Sequence, residues 1–127
     1  MTERIVLKTA SHSLAKEIIN VTSTDTEPDF FKRQEINLIS LLIPYIKRTR
    51  TVSSNGEIVR DLRVLLDTLN TPEDLISLPE SLTDKDSDIK ELWKTDGFLH
   101  ISEGWEEQDN QRIYTSLLSV KTKLKKF

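Results

Sequence analysis

Residues 28–47 read PDFFKRQEINLISLLIPYIK. Proline is favoured in the first turn of a helix, where its missing N–H has no partner to lose, and Asp29 suits the positive end of the helix dipole. Beyond that start the segment is apolar on nearly every side. One stripe holds Phe31, Leu38, Leu42 and Tyr45, with Glu35 interrupting it, and the next holds Ile36, Ile39, Ile43 and Ile46. A helix apolar all round must be covered all round. The pattern therefore predicts a central helix over about 28–47, with the rest of the chain packed around it. Pro44 removes the bond between its own nitrogen and the carbonyl of Ser40, which predicts a kink or an early stop there.

The flanking segments supply the cover. Residues 4–8, RIVLK, read as a short extended lead-in. A first helix is predicted over about 11–21, capped by Ser11 or Ser13, with Leu14, Ile18 and Val21 on one face at i, i+4 and i+7. Residues 22–27 are polar and read as a loop. After a polar turn at 51–56, a third helix over about 57–69 turns Ile58, Leu62, Leu65, Leu66 and Leu69 inward. Thr71-Pro72-Glu73-Asp74 signals a fresh start: Thr71 as cap, Pro72 at the first position, and the acids completing the turn. That short helix carries Leu75, Ile76 and Leu78 and stops at Pro79. A helix over about 87–94 holds Ile89, Leu92 and Trp93. Gly97 and Gly104 bracket FLHISE, which reads equally as a short helix or as a loop over the core. The last helix, about 106–126, presents Ile113, Leu117, Val120 and Leu124, flanked by Tyr114 and Leu118. No repeat and no strand–helix alternation is visible. The expected architecture is all-α: one domain over 1–127, an irregular bundle of five to seven helices around the 28–47 segment.

Composition agrees. A chain of 127 residues buries a real core without staples. Only 3 Gly and 4 Pro argue against a many-turned β-sandwich and against a disordered tail. The absence of cysteine removes disulfide and thiolate chemistry and fits a reducing cytoplasm. The longest apolar run, 36–46, is broken by Asn37, Ser40 and Pro44 and falls short of the roughly 20 residues a membrane span needs. The start, MTERIVLKTASH, has no signal-peptide stretch. The expectation is a soluble, untargeted chain that makes no membrane contact of its own.

The net charge of −3 hides a strong layout. Residues 80–109 carry net −7. Residues 47–63 carry net +3 through Lys47, Arg48, Arg50, Arg60 and Arg63 against Glu57 and Asp61. Residues 112–127 carry net +5 through Arg112, Lys121, Lys123, Lys125 and Lys126, with no acid. Two readings stand. One is a two-signed surface, with an acidic patch for a basic partner and basic patches for an acidic partner or nucleic acid. The other is ordinary helix solvation, with lysines placed to suit a helix C-terminus. Lys121, Lys123, Lys125 and Lys126 are candidate phosphate contacts. Lys47, Arg48, Arg50, Arg60 and Arg63, with Trp105, Glu106 and Glu107, are candidate partner contacts. The mildly acidic balance opposes a dedicated nucleic-acid binder.

Catalytic patterns are missing from the sequence. Gly56, Gly97 and Gly104 are isolated, so no phosphate loop exists, and His12 and His100 have no partner at metal-ligand spacing. No nucleophile elbow or triad pattern occurs. Trp93 and Trp105 are each either a binding anchor or a core residue, and Trp105, beside Gly104 and among acids, is the better surface candidate.

Two segments carry a family resemblance. DFFKRQEINLISLLIPYI resembles the pattern of type IV secretion coupling proteins of the TraG/VirD kind: an Asp, an aromatic pair, an acid, then a leucine-rich run. Asp29, Phe30, Phe31, Glu35, Leu38, Leu41, Leu42, Ile43, Tyr45 and Ile46 occupy those places. The ending RIYTSLLSVKTKLKKF is similar to that family's closing motif through Ser116, Leu117, Leu118, Ser119, Leu124 and Phe127. Pro44 departs from the pattern and leaves the end geometry of the central helix open. In that family these segments bound an all-alpha domain inserted in a RecA-like ATPase. The resemblance implies a domain excised from a longer, membrane-anchored and oligomeric ATPase, at the cytoplasmic face of a bacterial inner or plasma membrane. ATP and Mg would belong to the parent protein, and this domain would hold no cofactor and no catalytic residue. Its partners would be a relaxase or relaxosome accessory protein, and the DNA they carry. A DNA-contacting helical bundle and a free-standing adaptor or regulatory protein are the alternatives.

Overall fold

The computed structural model describes residues 3–24, 26–52, 54–95 and 107–126. Among them are six α-helices and no strand: α1 (Glu3–Thr22), α2 (Asp29–Thr49), α3 (Asn55–Asp67), α4 (Pro72–Ile76), α5 (Ser87–Thr95) and α6 (Glu107–Lys126), with short 3-10 turns at Leu78–Ser81 and Asp84–Asp86. The all-α expectation holds.

α2 is the centre. Every residue from Glu35 to Ile46 except Asn37 is buried, and α1, α3, α5 and α6 pack around it. All-round burial follows from all-round apolarity. Pro28 stands just outside the helix as its N-cap, and its carbonyl accepts from the Lys32 N–H at 3.3 Å. The first turn carries less core than its sequence stripe implies. Phe31 is 48% exposed and lies edge-on against Phe30, with ring centroids 5.6 Å apart. Pro44 does not end α2, which runs on to Thr49 and closes with the Arg50 N–H on the Ile46 carbonyl at 2.9 Å. A helix-interior proline costs about 3 kcal/mol. Ile43, Tyr45 and Ile46 are all buried around it, and each contributes roughly 1.5–3 kcal/mol of burial, so packing wins.

The lead-in at 4–8 is helical, not extended: α1 begins at Glu3. Adding residues to a formed helix is cheap beside nucleating one, so the helix continues through the weak strand preference of Ile5 and Val6. Among the described side chains of α1, Ser11, Ala15, Ile18 and Ile19 are buried, whereas Val21 is 68% exposed. The expected face was therefore out by a fraction of a turn at the end of α1.

Side-chain caps set the starts of α3 and α4. The Ser54 hydroxyl accepts from the Glu57 N–H at 3.2 Å and opens α3. Thr71 and Asp74 form a reciprocal capping box: the Asp74 N–H donates to the Thr71 hydroxyl, and the Thr71 N–H to the Asp74 carboxylate, both at 3.2 Å. Thr71→Ala should cost about 1 kcal/mol in chemical denaturation, as loss of a single N-cap does. No measurable loss would mean that α4 is held by the burial of Pro72 and Leu75. Trp93, in α5, is buried with its ring tilted against Tyr45, centroids 6.4 Å apart. Its indole N–H has no acceptor among the described residues.

Candidate functional site

Two charge centres form where the bundle brings distant segments together. The first lies at the end of α2. Arg48 projects from the last turn of α2, and its guanidinium meets acids 38 and 40 residues further along the chain. Nη1 donates to Asp86 Oδ1 at 2.9 Å and to Asp88 Oδ1 at 3.2 Å, and Nη2 donates to Asp88 Oδ2 at 3.0 Å. The fork on Asp88 is the bidentate geometry that makes Arg–carboxylate pairs strong and specific. Asp86 is set by its 3-10 turn, whose closing bond runs from the Asp86 N–H to the Thr83 carbonyl at 2.9 Å. Asp88 stands in the first turn of α5. Its hydrogen bond from Arg48 holds the carboxyl below the ordinary aspartate range, and the two aspartates raise the guanidinium in turn.

Nearby, Arg50 and Arg60 share Asp61 at 3.8 and 3.5 Å. Such loose, solvent-facing pairs are worth about 0–1 kcal/mol. Lys47 and Arg63 are exposed and have no ion pair among the described residues. The acidic and basic segments that the sequence offers as separate patches are thus joined, and Arg48 is the joint. Trp105 and Glu106 lie outside the described residues, as does the 98–103 segment, and Glu107 opens α6.

The second centre corrects one expectation. Lys123 is not a phosphate contact: it is 7% exposed and sits among acids. Its ammonium donates to Glu35, to Glu27 at 2.5 Å and to Ser23 at 2.9 Å. An ammonium has three donors, and all three are engaged. The other Glu35 oxygen accepts from the Ser119 hydroxyl. One lysine thereby ties the α1–α2 loop, the middle of α2 and the end of α6 together. Of the other candidate phosphate contacts, Lys121 reaches Asn70 at 3.4 Å, while Lys125 and Lys126 are exposed on the last turn of α6.

Burial alone would raise the Glu27 carboxyl. The hydrogen bond and charge of Lys123, with Ser23 and Lys32 adding, more than offset it, and the carboxyl is held below its ordinary value of 4.5. A carboxyl depressed in the folded state contributes stability that is fully present above its unfolded value and is lost as pH falls through its folded value. Stability should therefore decline from about pH 4.5 downward. In thermal melts across that range, Glu27→Gln should decline less steeply than the parent chain. Equal slopes would show that the Lys123 contact contributes nothing.

A cleft of about 410 Å³ adjoins this centre, between the end of α1, the 22–27 loop and the last turns of α6. Its hydroxyls are already committed: Thr22 donates to the Ile18 carbonyl at 2.7 Å and Thr122 to the Leu118 carbonyl at 3.0 Å. Among the described residues no cluster of three metal-ligating side chains forms, and no helix is long and apolar enough to cross a membrane. His12 is exposed on α1. The chemistry both centres offer is ion pairing.

No family model, curated protein or solved structure matches the chain.

Segment charge does not pair the residues of these centres with one another: Glu27, Glu35, Asp86, Asp88, Ser119 and Lys123. Two of them leave a trace. Glu35 breaks an apolar stripe of α2, and Lys123 falls on the Ile113–Val120 stripe of α6. One charge of each sign on two buried stripes is the sequence signature of a buried pair.

Proposed function

We propose that this bundle is the substrate-recognition, all-alpha domain of a conjugative type IV secretion coupling protein, recruiting relaxase or its accessory proteins, with their DNA, for transfer. The observation that supports it is the relation of the two resembling segments. α2 and α6 pack against each other, and the positions that carry the resemblance, among them Leu38, Leu42, Ile43, Ile46, Leu117 and Leu124, lie in one core. A pattern of that kind specifies a scaffold. Recognition would then fall to the charged groups the scaffold holds at its surface: Lys47, Arg60 and Arg63 on one side and the acids of 80–91 on the other. ATP binding and hydrolysis, the membrane anchor and oligomerisation would belong to the parent protein, at the cytoplasmic face of the membrane.

The test is retention of cognate relaxosome proteins on the immobilised domain at low salt, followed by elution as salt rises. Failure to retain any of them, with the domain folded by circular dichroism, would overturn the reading. Of the four lysines that the DNA reading places on phosphates, Lys123 is buried.

A further inference from the structure

The Arg48 centre has the form of an occupied binding site. An arginine fork holding a carboxylate bidentately is a recognition geometry, and here both carboxylates come from a segment nearly forty residues away. The contact lies at the surface: the Arg48 side chain is 36% exposed, and Asp86 and Asp88 remain in reach of solvent. The 47–63 segment carries net +3, and Asp86 and Asp88 lower that to +1. Two further cations of that segment, Lys47 and Arg63, are exposed.

We propose that Asp86 and Asp88 are an internal stand-in for an acidic segment of a protein partner, and that such a segment docks on Arg48 by displacing them. A peptide fits better than a nucleic acid. What Arg48 holds is a pair of carboxylates two residues apart on one stretch of chain, which is the form an acidic peptide presents. This surface rests on the geometry of Arg48 alone and stands whether or not the parent is a coupling protein.

The test is fluorescence anisotropy of a labelled poly-glutamate peptide on the intact chain at low salt, beside a labelled single-stranded oligonucleotide. Asp86→Asn with Asp88→Asn should bind the peptide about ten-fold more tightly than the parent chain, equivalent to about 1.4 kcal/mol. Glu80→Gln with Asp84→Asn removes the same two charges from the same region without touching Arg48, and should gain far less. Adding Arg48→Gln to the first pair should abolish the gain. Asp86→Asn alone, which leaves the Asp88 fork in place, should give a smaller gain and serves if the pair fails to fold. Equal gains from both charge-matched pairs, or a gain that survives Arg48→Gln, would overturn the proposal. Stronger binding of the oligonucleotide than of the peptide would overturn the choice of partner.

Discussion

Lys123→Met is expected to destabilise the chain by about 3–5 kcal/mol, because it leaves Glu35 as a buried carboxylate without its cation. Glu35 is 2% exposed and keeps only Ser119. The residual charge cannot move to water without unpacking α2 from α6. The pair itself is a different matter. Bringing two ions out of water costs several kcal/mol each, and their attraction roughly returns that cost, so replacing both with apolar groups is often neutral or stabilising. Glu35→Leu with Lys123→Met should therefore recover most of the loss, and the double-mutant cycle should show a coupling of 0.5–3 kcal/mol or more. Urea denaturation with a common m-value measures all four chains. A Lys123→Met loss within about 0.5 kcal/mol of zero, as expected of a solvated lysine, would mean that the ammonium faces water.

Physical causes separate what the sequence revealed from what it concealed. Helix positions were legible because each rests on local chemistry. The Thr71–Asp74 box, the Pro72 start and the apolar period of α3 act within a few residues of themselves. The central place of α2 was legible because only one arrangement covers a helix such as residues 36–46. The charge centres were not, since they join residues 38, 40, 88 and 96 positions apart. Net charge counted by segment assigns Lys123 to a basic tail and Asp86 to an acidic patch, whereas pairing in space cancels both. The start of α1 was missed for the opposite reason. Local strand preference at Ile5 and Val6 was outvoted by continuation of a helix already formed.

Leu42→Ala should cost about 2–5 kcal/mol, the range for removing a fully enclosed leucine and leaving a cavity. Leu42 is 0% exposed in the middle of α2, and α2 packs against four other helices, so no neighbour can close the gap without giving up its own contacts. Leu118→Ala is the matched control. It deletes the same atoms from a side chain 45% exposed on α6, where substitutions generally stay within about 0.5 kcal/mol. The contrast between the two isolates enclosure from chemistry. Domains of this kind hold about 5–15 kcal/mol in all, so Leu42→Ala alone removes a large part of the total. The loss should appear as a lower urea midpoint at unchanged m-value, because the same surface is exposed on unfolding. A Leu42→Ala loss no larger than that of Leu118→Ala would contradict the all-round cover of α2. It would also remove the reason for Arg48, less than two turns further along the same helix, to be held in one place against Asp86 and Asp88.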